Sequence, residues 1–75
     1  MTQSERTYWT ALGARIRAAR KAAGMTQLDL GLALGRACRG RGSSVAIHYY
    51  EVGRNRVDAY TLRQIERVLG AELYA

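Results

Sequence analysis

A chain of 75 residues with a single cysteine holds one domain, close to the lower size limit for a fold supported by a hydrophobic core alone, and excludes an internal disulfide or a multi-cysteine metal site. Its 48% apolar residues are enough to fold, and no apolar run suits a signal peptide or a membrane span, so a soluble, cytoplasmic protein is expected. The net charge of +6 rests on twelve cations, all arginine except Lys21, and points to a polyanion or an acidic surface as partner, the lesser alternative for any single arginine being a place on a solvated helix face.

Four segments carry both a start and a stop signal for a helix. The first is expected over about residues 5–23, where Trp9, Leu12, Ile16, Ala19 and Ala23 recur at three- and four-residue spacing as one inward stripe. Arg6, Arg15, Arg17 and Lys21 take the other face, and Gly24 is suited to the left-handed conformation that ends a helix. The second helix, 27–34, opens on Thr26-Gln27-Leu28-Asp29, a threonine followed three residues later by an acid, as in a capping box. Leu28, Leu30, Leu32 and Leu34 alternate as a strand would, but the cap and Gly31 favour a helix with Leu30, Ala33 and Leu34 inward and Gly35 at its end.

Residues 36–42 have no periodicity, carry Arg36, Arg39 and Arg41, and finish in two glycines; they read as a loop. Ser43 or Ser44 caps the third helix, 44–52, which has an apolar seam at Val45, Ile47 and Tyr50 and stops at Gly53. From Ser44 to Glu51 the helix is about 12 Å long, which suits a piece of helix lying in the major groove of DNA. Asp58 caps the fourth helix, 59–69, with Leu62, Ile65 and Leu69 inward and Gly70 closing it. Residues 71–75 are the start of a fifth helix at most. With no strand, repeat or linker in evidence, the expected fold is a single all-α domain of four to five helices.

Thr26-Gln27, Leu30, Gly35, Ile47, Tyr50, Glu51, Gly53, Leu62, Ile65 and Leu69, with Leu12-Gly13 and Arg20 at matching offsets, resemble the lambda-repressor-like (Cro/cI, Xre-type) helix-turn-helix domain over about residues 12–73. The resemblance implies a sequence-specific regulator of transcription, a repressor, that binds double-stranded DNA as a homodimer on a two-fold symmetric operator, in a bacterial or phage setting and without cofactor or metal. It implies that Gln27 holds a phosphate at the start of helix 2. Helix 3 is then the recognition helix, with Ser44, Val45, His48 and Tyr49 at base-reading positions. Ser43, Arg54, Asn55 and Arg56 grip the backbone, and Arg20 pairs with Glu51. Chemistry supports these roles: a small serine allows close approach to a base edge, valine meets a thymine methyl, and tyrosine and histidine bond bases or phosphates. An acid beside phosphates needs internal neutralisation, and a pair with Arg20 ties helix 1 to the end of helix 3.

Two departures from the family stand out. Gly35 and Glu51 lie sixteen residues apart, so the turn between helices 2 and 3 is longer than the family's. That turn is either a tolerated excursion or an extension of the phosphate contacts through Arg36, Arg39 and Arg41. Five arginines against Glu51 between Arg36 and Arg56, a net +4, favour contact. Val57 and Gly31 stand where the family has proline and alanine. Gly31 lets helix 3 approach helix 2 closely at some cost in helix stability.

Rival readings are weaker on the residues. His48 is the only histidine and has no catalytic partners in the sequence, and Cys38 is a lone thiol among arginines, so no enzyme is expected. An antitoxin-type module that binds a small acidic protein and its own operator is the alternative. A homeodomain-type reader would have a basic arm, whereas residues 1–5 are not basic, and a longer third helix. Tyr8, Trp9, Leu73 and Tyr74 are candidates for a dimer surface, with Trp9 slightly better suited to cap the monomer's own core.

Overall fold

Local capping chemistry sets most of the frame. A computed structural model describes residues 2–38 and 43–73, and within them the chain is all-helical, with four helices and no strand. Helix α1, Gln3–Ala22, starts two residues earlier than the apolar stripe suggests, because the Thr2 hydroxyl accepts the Glu5 amide at 3.2 Å as N-cap. It ends just before Ala23, which is exposed and not part of the inward stripe. Gly24 then adopts φ +72°, and the Met25 amide closes the turn on the Arg20 carbonyl at 3.1 Å.

Helix α2, Gln27–Cys38, begins with a reciprocal capping box. The Thr26 amide donates to Asp29 Oδ2, and the Asp29 amide to Thr26 Oγ1, both at 3.0 Å. The expected stop at Gly35 is overturned. Positive φ occurs at Gly24, Gly53 and Gly70 but not at Gly35, so the helix runs through it for a further turn. Leu30 and Leu34, both fully buried, anchor the helix up to that point, and Arg36 complements the negative end of its dipole. Arg36 thus stands on α2 and not in a loop.

Helix α3, Ser44–Glu51, is capped by Ser43, whose hydroxyl accepts the Ala46 amide at 3.1 Å. Helix α4, Ala59–Leu69, is capped by Asp58 accepting from the Thr61 amide and closed by left-handed Gly70. No fifth helix follows over 71–73. Instead the Leu73 amide donates to Glu66 Oε2 at 2.8 Å and the leucine side chain is buried. Leu73 is therefore core and not a dimer surface; Tyr74 lies outside the described residues.

The core joins Leu12 and Ile16 of α1, Leu30 and Leu34 of α2, Ile47 of α3, Leu62 and Ile65 of α4, and the flanking Val57 and Leu73. Trp9, Tyr50 and Leu69 are partly buried and pack around it, so Trp9 serves the monomer while Tyr8 remains half exposed. Helix α3 packs on both α1 and α2, and α4 packs on α2 with a smaller contact to α1. The radius of gyration, 11.3 Å, matches the value of about 11 Å for a compact chain of this length. Among the described residues no helix is long and apolar enough to cross a membrane.

Candidate nucleic-acid interface

Helix α3 is held from behind by backbone contacts that only glycine permits. A Cβ on Gly13 of α1 would overlap the carbonyl groups of Tyr50 and Glu51. One on Gly31 of α2 would lie 2.7 Å from the Ser43 carbonyl carbon and 2.9 Å from the Ser44 nitrogen. The close approach expected at Gly31 is thus real, and Gly13 makes a second one at the other end of the same helix. Gly53, at φ +77°, packs in turn against the backbone of Thr10.

Between these contacts lies the pair expected from the sequence. Arg20 Nε donates to Glu51 Oε2 at 2.6 Å and Nη2 to Oε1 at 3.2 Å, with side chains only 9% and 2% exposed. Arg20 Nη1 also donates to the Met25 carbonyl at 2.8 Å, so one guanidinium fixes the end of α1, the following turn and α3. The hydrogen bonds to Glu51 hold the Arg20 guanidinium above its ordinary pKa, against the opposing effect of burial. Gln27 adds a third donor, its Nε2 reaching Glu51 Oε1 at 3.2 Å. In the free protein, then, part of the Gln27 amide is already engaged.

The other face of α3 is open. Val45 is 59% exposed, His48 is exposed, Ser44 and Tyr49 are half-buried, and Val52 just past the helix is 50% exposed. The Arg54 guanidinium lies 5.0 Å from the centroid of the Tyr49 ring, a cation–π contact, and the Arg54 amide donates to the Tyr49 carbonyl at 3.0 Å. His48 and Tyr49 rings stand 5.8 Å apart. Asn55 is exposed beside them. Arg56 is exposed as well, but it forms a 2.7 Å ion pair with Glu5 on α1. Arg17, Gln27, His48 and Val52 line one shallow cleft above the buried pair. Arg36 is exposed near the end of α2, while Arg39 and Arg41 lie outside the described residues.

The structure therefore brings Ser44, Val45, His48, Tyr49 and Arg54 onto one side of α3. Val52 was not placed on this face from the sequence, although it lies within the expected helix 44–52 and its spacing of seven from Val45 puts both on one helical face. Neither the Gln27–Glu51 bond nor the Glu5–Arg56 pair had a local signal, since each joins residues far apart in the chain. Among the described residues no group of three or more His, Cys, Asp or Glu is arranged to hold a metal ion. Compared with protein-family models, with characterised proteins and with solved structures, the chain matches none of them.

Proposed function

We propose that this chain is a lambda-repressor-like helix-turn-helix domain that binds double-stranded DNA sequence-specifically and regulates transcription as a repressor. The observation that carries the reading is the asymmetry of α3. One face is locked to α1 and α2 by backbone contact and a buried ion pair, and the other presents Val45, His48 and Tyr49 to solvent between exposed arginines. A short helix held rigidly with its outer face free is the arrangement that a major-groove reader needs.

In this reading Ser44, Val45, His48 and Tyr49 meet base edges, and Ser43, Arg54, Asn55, Arg56 and Arg36 meet phosphates. Gln27 serves two partners, one amide hydrogen on Glu51 and the other on a phosphate at the start of α2. Arg56 exchanges Glu5 for a phosphate at little cost, because an exposed pair contributes at most about 1 kcal/mol. Eight residues of helix offer few base contacts, so two copies on a two-fold symmetric operator, with half-sites about 34 Å apart, supply the affinity. Selection of bound sequences from random duplex DNA tests this directly. A palindromic motif is the expected outcome; no enrichment at either low or moderate salt would refute DNA recognition.

A further inference from the structure

The outward face of α3 carries no cation and no amide. Val45, Tyr49 and Val52 follow one another at helical spacings of four and three, with His48 beside them, and the two valines are more than or about half exposed. Between Ser43 and Gly53 there is no Arg, Lys, Asn or Gln. Those are the side chains that read guanine or adenine through two hydrogen bonds at once. A valine offers a base pair only apolar surface, and in the major groove the matching apolar group is the thymine C5-methyl.

The cations around this face come from outside α3. Arg54 is stacked on Tyr49, Arg17 lines the cleft beside His48 and Val52, and Arg36 is exposed near the end of α2. An apolar strip framed by positive charge fits a groove floor framed by phosphates. It does not fit a second copy of the same face, which would set these cations against their like in a chain of net charge +6.

Resting on the DNA-binding reading above, we infer that each half-site is read chiefly through thymine methyl groups, with Val45 and Val52 as the specificity-determining residues and an A·T-rich contacted core. Val45 and Val52 are seven residues apart, about 10 Å along the helix, so the methyls they meet are separated by about three base-pair steps.

The test starts from the best duplex selected from random DNA and replaces the thymines of one half-site by deoxyuridine, one at a time. Deoxyuridine lacks only the methyl. At two positions the affinity is expected to fall about fourfold, the equivalent of one buried methylene. Val45→Ala is expected to erase the loss at one of them and Val52→Ala at the other. Both side chains are exposed, so both variants should melt close to the parent, which circular dichroism checks. A selected motif with a guanine-rich core overturns the methyl reading while leaving DNA recognition intact. So does indifference to deoxyuridine, or a loss that persists in both variants. Failure to select any sequence overturns DNA recognition itself, and the inference with it.

Discussion

Cutting the Arg20–Glu51 pair from one side should remove much of this domain's stability. The Glu51 carboxylate accepts three hydrogen bonds, two from Arg20 at 2.6 and 3.2 Å and one from Gln27 at 3.2 Å. Arg20→Ala takes away two of these and leaves a carboxylate whose side chain is 2% exposed with one amide as partner. Glu51→Ala leaves a guanidinium that keeps the Met25 carbonyl and has a long, flexible stem with which to reach water. Breaking a buried pair from one side costs about 3–5 kcal/mol, and Arg20→Ala should sit at the upper end. A 75-residue domain holds about 4–11 kcal/mol in total, so the loss is a large fraction of it. At roughly 4–8 °C per kcal/mol, the melting temperature should fall by at least about 12 °C. Thermal and urea unfolding followed by circular dichroism measure the two quantities, with Arg63→Ala as an exposed control expected within about 0.5 kcal/mol of the parent. The double variant Arg20→Ala/Glu51→Ala should lose less than the sum of the two single losses, because it leaves neither charge alone. Single losses below about 1 kcal/mol, or full additivity, would refute the claim that this pair fastens α1 to α3.

Three other outcomes are expected. Gly13→Ala should destabilise by about 1–3 kcal/mol in the same unfolding assay despite the better helix propensity of alanine, since the new methyl meets backbone carbonyls that cannot turn aside; a gain in stability would show that α3 is free to move away. Replacing Arg36, Arg39 and Arg41 together by alanine should flatten the salt dependence of DNA binding by up to about three phosphates, at roughly 0.9 log units each, and an unchanged slope would leave these arginines as spectators. The Thr26 amide, with its hydroxyl second, holds the Asp29 carboxyl below its ordinary value of 3.8. Such a group contributes stability above its unfolded pKa and loses it as pH falls through the lower folded value, so Asp29→Asn should be less stable than the parent above about pH 4 and converge with it in stronger acid; a gap that persists in acid would mean that ionisation of Asp29 is not what the cap depends on.

Three of the four helix starts were legible because their caps are local chemistry: Thr26 with Asp29, Ser43, and Asp58 each act within three residues, whereas the Thr2 cap of α1 lies ahead of the apolar stripe and was missed. The inward leucines and isoleucines followed from spacing alone. Gly35 misled because glycine marks a stop only when it turns left-handed, and that choice depends on what the chain does next, not on the residue itself. Leu73 misled for a related reason. Its burial is made by the Glu66 carboxylate drawing the terminal segment back, a contact no periodicity announces. At the site, the Arg20–Glu51 pair was recoverable from the family resemblance and from the cost of an unneutralised acid. The third partner, Gln27, was not, because its bond to Glu51 depends on the angle at which α2 meets α3.

The two glycines behind α3 carry a further consequence. Each costs helix stability by roughly 1 kcal/mol relative to alanine, which a domain this small does not carry lightly. A face of short apolar side chains explains why close placement matters. A long arginine can stretch toward a base, but a valine cannot, and a gap of about 0.5–1 Å forfeits a quarter to a half of a dispersion contact. A Cβ on Gly31 would lie 2.7 Å from the Ser43 carbonyl carbon, whereas carbon contacts settle near 3.5–4.0 Å, so the start of α3 would have to move off α2 by about 0.8 Å or more, enough to take Val45 out of register with the methyl it meets. Gly31→Ala should then blunt the preference for thymine over deoxyuridine beneath Val45. On the DNA-binding proposal the salt slope should stay as it was, because phosphate contacts made by arginines on flexible stems would tolerate such a shift. Binding isotherms on the two duplexes at several salt concentrations separate these effects. Undiminished thymine preference in a folded Gly31→Ala variant would mean that the tight seat of α3 has nothing to do with what its outer face reads.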